Sequence, residues 1–221
     1  MNFSAEWDAH YREVDRLSLW PWSDLVSYVM RYARPQATGF RVLELGCGAG
    51  ANIPFFENLK VEYFAVEGSP AIVSKLHERF PALKDRIVAG DFTTTIPFDG
   101  EFDLVVDRSS LTHNTTAAIE QCLAAVHAKL KPGGKFIGID WFSTANPQFQ
   151  RGDAAGDAFT RGDFPDGQFA GVGRVHFSDK AHLLDLFKDF RMSMMEHKLV
   201  QQEIPDPAHS FATWNLVACK T

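Results

Sequence analysis

The residues best equipped to hold a small ligand are spaced Glu44-x-Gly46-x-Gly48-x-Gly50, with Glu67 following about 20 residues after the first glycine. A short apolar run, Val42 to Leu45, leads into the glycines and predicts a buried strand. Alternating glycines let the chain turn tightly and lie close to a ligand. The stretch Asn52 to Leu59 can be helical, so the loop would present unpaired N–H groups and a positive dipole end. Cys47 inside the loop reads as a small packing residue rather than a nucleophile. Gly46-x-Gly48-x-x-Ala51 satisfies the dinucleotide fingerprint, with Glu67 where a ribose-binding acid is expected. On the glycines alone, a nicotinamide or flavin site is a valid reading.

Glu44 favours a different ligand. A carboxylate two residues before the first glycine sits badly beside a pyrophosphate and well beside a cation. S-adenosylmethionine carries two cationic centres, a sulfonium and an α-ammonium. Here the chain resembles the class I S-adenosylmethionine-dependent methyltransferases, whose first motif is this acid-plus-glycine pattern; the likeness runs from about Phe40 to Phe142. The resemblance implies that Glu44, Gly46, Cys47, Gly48, Gly50 and Asn52 surround the cofactor. It implies that Glu67, in Ala65-Val-Glu67-Gly68-Ser69-Pro70, bonds both ribose hydroxyls. It also implies that Asp91 takes the adenine amino group while Phe92 packs near the ring.

The segment Asp103-Leu-Val-Val-Asp107-Arg108-Ser-Ser-Leu-Thr-His113-Asn114 is the second chemical centre. Its apolar run ends at Asp107, on the edge of the sheet where open α/β folds place ligands. Asp107 and Arg108 are therefore candidate cofactor contacts, with an internal ion pair as the competing role for Arg108. His113 is the best-placed group for removing a proton, since its reference pKa lies near neutrality. Many relatives need no base, because a sulfonium is already an activated donor and alignment does most of the work. Tyr11 and Trp20, in an aromatic N-terminal segment, are candidate substrate contacts. Trp141 and His176 border a long connection and are candidates as well.

Positioning these groups requires alternating strands and helices. Strands are predicted at Arg41–Leu45, Glu62–Glu67, Arg86–Ala89, Phe102–Asp107 and Lys135–Trp141. Helices are predicted at Asn52–Leu59, Pro70–Phe80, Thr116–Leu130 and Asp179–Phe190. Such alternation implies parallel strands joined by right-handed crossovers. Ser69 and Pro70 suit the N-cap and first turn of a helix, and Pro132-Gly-Gly134 turns the chain into the next strand. Arg191–Glu203 and Phe211–Lys220 read as a closing hairpin around Pro205-Asp-Pro207, an ending that dinucleotide folds generally lack. The resemblance thus implies an α/β fold: a three-layer α/β/α sandwich on a seven-stranded mixed sheet (Rossmann-like), with N-terminal helices.

The 221 residues suit one domain, 1–221, with a helical cap over 1–35 broken at Pro21 and an insertion at 143–177. That insertion is rich in glycine and phenylalanine (Phe149, Phe159, Phe164, Phe169), which suits an active-site lid. A net charge of −6 with no lysine/arginine block argues against nucleic acid as a partner. No apolar run is long enough to span a membrane, and the N-terminus lacks the features of a signal peptide. Cys47, Cys122 and Cys219 lack metal-ligand spacing and fit a reducing cytoplasm, so no metal is expected. The expected protein is a cytoplasmic methyltransferase, monomer or homodimer, acting on an O, N or S atom of a small molecule. An NAD(P)-dependent oxidoreductase, a protein methyltransferase and a non-catalytic cofactor-binding module are the alternatives.

Overall fold

The computed structural model describes residues 18–35, 38–205 and 209–221. Five strands, β1 (Arg41–Leu45), β2 (Glu62–Glu67), β3 (Ile87–Ala89), β4 (Phe102–Arg108) and β5 (Leu130–Phe142), lie parallel in the order β3-β2-β1-β4-β5. Between β5 and the last pair come three short strands, β6 (Asp153–Ala154), β7 (Thr160–Gly162) and β8 (Val175–His176). The closing hairpin, β9 (Arg191–Gln201) and β10 (Ser210–Cys219), extends the main sheet as β5-β10-β9 with both new pairings antiparallel. The sheet is therefore seven-stranded and mixed, and β10 is the strand that runs against the rest.

Apolar residues fill both faces because parallel strands buried on both sides have no wet side to alternate toward. Leu43, Val105 and Phe136 face one core, packed by α4 (Thr116–Lys129) and α5 (Lys180–Leu186). Val42, Leu104 and Ile137 face the other, packed by α1 (Ser23–Tyr28), α2 (Ile53–Asn58) and α3 (Pro70–Arg79). Two cores on one sheet make the three layers. The first helix widens into a π-helical turn over Val29–Ala33 and ends on Arg34 in the left-handed region. Ser69 caps α3 by accepting from the Ile72 amide at 3.2 Å, with Pro70 in the first turn as its sequence requires.

Two expectations change. The helix predicted over Asp179–Phe190 stops at Leu186, and Phe187 and Phe190 turn inward to the core. The turn at Pro132-Gly-Gly134 is a bulge within β5: Leu130 pairs with Phe102, and pairing resumes at Lys135 opposite Leu104, with Gly133 at φ +75°.

The insertion after β5 is built rather than loose. β6, β7 and β8 form an antiparallel sheet around a separate cluster of Phe142, Phe164, Phe169, Val175 and Phe177. Among the described residues no helix is long and apolar enough to cross a membrane.

Candidate functional site

A cleft of about 580 Å³ opens at the carboxyl ends of β1, β2, β4 and β5, within the range of small-molecule pockets. It lies where the sheet order reverses, β2 being on one side of β1 and β4 on the other. Glu44, Gly46, Cys47, Gly48, Asn52, Glu67, Gly68, Asp91, Phe92, Arg108 and His113 all line it.

The glycine loop is held by the acid that follows it. Glu67 accepts from the Gly48 amide at 2.8 Å through Oε2 and from the Ser69 amide at 2.9 Å through Oε1. Gly46 donates to the Val66 carbonyl at 2.8 Å and Gly50 to Cys47 at 2.9 Å. The loop amides of all three glycines therefore point at protein acceptors, which corrects the expectation of an N–H cradle offered to a ligand. A pyrophosphate would need those amides, so the dinucleotide reading loses its physical basis. The glycines serve close approach instead: a Cβ at Gly46 would lie 2.3 Å from Ser110 Cβ, at φ +67°.

Glu44 is buried and aimed by two donors, Asn52 Nδ2 at 2.7 Å and the Tyr63 hydroxyl at 2.6 Å. Burial pushes its pKa up to about 7, against the pull of those two hydrogen bonds. Asp91 accepts from the Thr93 amide at 3.0 Å, which fixes the loop after β3 beside Phe92. Three carboxylates thus face the donor half of the cleft, a field suited to a cationic ligand.

The opposite wall is aromatic and charge-balanced. Arg108 pairs with Asp140 at 3.0 Å and stands 3.6 Å over the Trp22 ring. Lys198 bonds the other Asp140 oxygen at 2.9 Å and also pairs with Asp24. Ser109 and Asp140 both hold positive φ, 59° and 56°, just after β4 and within β5. The Ser109 hydroxyl donates to the Asp140 carbonyl at 2.8 Å, which ties the turn after β4 to β5.

His113 sits in a short helical turn after β4, on the cleft wall beside Phe142, with ring centroids 6.0 Å apart. Its Nδ1 lies 3.0 Å from the Arg174 carbonyl, so that nitrogen carries the proton and Nε2 is the acceptor. Burial lowers its pKa to about 4, leaving the ring neutral near pH 7. Phe169, Val172 and Gln168 from the insertion and Phe211 from β10 complete this half.

Several predicted residues lie elsewhere. Asp107 does not reach the cleft: it is buried beneath the β4 turn, accepting from Ser110, from the Leu111 amide at 3.0 Å and from Trp141 Nε1 at 2.7 Å. Burial pushes it up to about 6. Trp141 points away from the cleft because strand side chains alternate; Asp140 and Phe142 take the cleft side while its ring packs on Phe136 and Phe187. Ser69 is buried as a helix cap, and Gly50 packs toward Leu76 and Ile53. His176 is buried inside the insertion, bonded to Thr160 and His182. Trp20 is exposed and stands outside the cleft, whose aromatic from that segment is Trp22. Tyr11 lies outside the described residues. Tyr63 and Trp22 went unassigned because their roles depend on contacts across the sheet, which no spacing reveals.

Comparison with known proteins agrees with this geometry. A family model described as "Methyltransferase domain" matches residues 42–134. An uncharacterized methyltransferase of Synechocystis sp. is 30% identical over 109 residues, 49% of this chain and 50% of that protein, so the match spans about half the length of this curated relative. A solved S-adenosylmethionine-dependent methyltransferase of Methanosarcina mazei shares 14% identity at a TM-score of 0.67, covering 91% of this chain and 99% of its own. The 1,6-didemethyltoxoflavin-N1-methyltransferase of Burkholderia thailandensis, solved with 1,6-didemethyltoxoflavin and S-adenosylhomocysteine, gives 20% identity and a TM-score of 0.64 over 98% of this chain and 88% of its own. At these identities the two structures bear on the fold. The matched segment spans the elements that build the donor half of the cleft, and over it the chain is similar to methyltransferase domains.

Proposed function

We propose that this protein transfers the methyl group of S-adenosylmethionine to an O, N or S atom of a neutral, partly apolar small molecule. The observation that carries the reading is the division of one cleft into a carboxylate-lined half and an aromatic half, meeting at His113. The residues fit the cofactor. Glu44 and its neighbours suit the cationic centres. Glu67, a carboxylate with about four acceptor positions, suits a pair of ribose hydroxyls while still holding the loop. Arg108 is the one cationic side chain among the described lining residues, and its buried Nε has no hydrogen-bond partner among the described residues, which suits the methionine carboxylate.

When bound, S-adenosylmethionine supplies an activated methyl group on a sulfonium, open to in-line displacement. The chain's own part is to align the acceptor, exclude water and receive a proton where the acceptor has one to lose. Phe142, Phe169, Val172 and Phe211 exclude water, and His113 Nε2 is the acceptor nitrogen for that proton. A base as weak as His113 suits an acceptor that releases its proton readily, or an amine lone pair, better than an aliphatic alcohol. The Burkholderia relative, which acts on a small nitrogen heterocycle by its name, supports the small-molecule reading.

The insertion over 143–177 acts as the lid on the acceptor half, and the N-terminal segment caps the cleft through Ser18 and Trp22. A cytoplasmic protein, monomeric or homodimeric, without nucleic-acid partners completes the proposal, in keeping with the −6 charge. Calorimetric titration with S-adenosylmethionine and with NAD tests the donor. Binding of NAD without S-adenosylmethionine would defeat the reading. Incubation of a metabolite extract with methyl-labelled S-adenosylmethionine then identifies the acceptor as the small molecule that gains label; label recovered only on protein would overturn the small-molecule assignment.

A further inference from the structure

The insertion is fastened by a directional chain of hydrogen bonds remote from the cleft. It ends on Asp157, whose carboxylate accepts from the amides of Thr116 at 2.8 Å, Phe159 at 2.9 Å and Thr160 at 2.9 Å. Burial opposes the charge, but these bonds outweigh it and hold the Asp157 pKa below its ordinary value. An ionised carboxylate only accepts, so the Thr160 hydroxyl donates to it, at 2.9 Å. With its proton committed, Thr160 Oγ1 accepts from His176 Nδ1 at 3.1 Å. His176 is then a neutral Nδ1–H tautomer whose Nε2 accepts, and the proton between the rings, at 3.0 Å, belongs to His182 Nε2. The His182 ring in turn stacks on Phe159, centroids 3.6 Å apart and planes 4° from parallel.

Each end of this chain matters to the cleft. Thr116 is the first residue of α4, three positions beyond His113. His176 ends β8, two positions after Arg174, whose carbonyl sets the His113 tautomer. We propose that His182–His176–Thr160–Asp157 is a clip whose residues position the Arg174 carbonyl against His113, and that one proton taken up by the histidine pair opens it. That proton, placed on His176 Nε2, removes the acceptor and sets a cation against the His182 Nε2–H. The acids facing the pair are Asp157 in the insertion, Asp179 and Asp185 around α5 and Glu120 on α4. Of these Asp157 is already saturated by donors, so the pair's own contact governs the response. The clip stands apart from methyl transfer; its consequence for catalysis rests on the reading of His113 given above.

Histidine 15N NMR and amide exchange on the full protein test it without a known acceptor. In wild type, His113 and His176 should each show the Nδ1–H tautomer at pH 7.5. Thr160→Val should leave His113 mixed between tautomers, and Thr160→Ser should restore it. Protection of amides in 153–177, corrected for intrinsic exchange, should fall about tenfold per pH unit below pH 6, the slope for one proton gained on opening. His176→Gln, which cannot take up that proton, should flatten the slope, whereas His182→Gln, which keeps a donor toward His176 Nε2, should retain it. Circular dichroism checks that each variant folds. An unchanged His113 tautomer in folded Thr160→Val, or an unchanged slope in folded His176→Gln, overturns the clip. Absence of S-adenosylmethionine binding in wild type with these signatures intact overturns the donor assignment alone.

Discussion

At the scale of single residues, Glu67 does two jobs with one carboxylate. Its oxygens hold the Gly48 and Ser69 amides, so the glycine loop has its shape before any ligand arrives. Preorganisation of this kind means a truncation loses both a ligand contact and the loop geometry. Glu67→Ala should weaken S-adenosylmethionine binding by about 1–3 kcal/mol by calorimetry. Affinity equal to wild type would remove Glu67 from the ribose contact. Glu67 was legible in the sequence because an apolar run that stops at an acid fixes a strand end, and Glu44 because an acid inside an apolar run just before the glycines needs a ligand or partner; strand ends in this topology face the ligand. Trp141 shows the limit. The residues around the end of β5 were legible as cleft-adjacent, but which parity faces the cleft depends on the strand's seating, and Asp140 and Phe142 took that side. Tyr63 was out of reach for a different reason: its hydroxyl meets Glu44 from the neighbouring strand, opposite Val42 in register.

Among elements, the turns after β1 and β4 interlock. Ser110 bonds the Leu45 carbonyl and Asp107, and its Cβ occupies the space that a side chain at Gly46 would need. Gly46→Ala therefore meets two costs at once, a steric one at 2.3 Å and a backbone one at φ +67°. Chemical denaturation should show a loss of about 1–3 kcal/mol, with cofactor affinity falling alongside. Wild-type stability in that variant would mean the two turns move independently. The parallel strands of the main sheet were legible element by element because each carries a run of apolar residues with its own stop signal. The insertion's sheet was not, since β6 and β8 are two residues long and exist through the packing of Phe164, Phe169 and Phe177 around Phe142. Composition there spoke of glycine and mobility, whereas long-range aromatic contacts decided the structure.

For the molecule as a whole, buried acids and buried histidines pull stability in opposite directions over the same range of pH. Glu44 and Asp107 are raised to about 7 and about 6, so the folded state holds their protons longer than the unfolded one. Their contribution is present at low pH and is lost as pH rises toward those values. His113 and His176 are lowered to about 4 and about 3, so they contribute above their unfolded pKa and their contribution is lost as pH falls below it. The two trends offset between about pH 4 and 6.5, and the ligand-free protein should melt at nearly constant temperature there. A cationic ligand beside Glu44 breaks the balance, because it favours the ionised carboxylate and lowers that pKa. Ligand stabilisation grows as RT ln(1 + [L]/Kd), about 2.7 kcal/mol at a hundredfold excess over Kd. Thermal melts at fixed S-adenosylmethionine should therefore show a shift that is largest near pH 8 and shrinks as pH falls through 7. Glu44→Gln, neutral at every pH, should give a smaller shift with little dependence on pH over that range. A shift in wild type that stays level from pH 8 to 6 would show that Glu44 is already ionised in the ligand-free protein or does not face the cationic end of the cofactor.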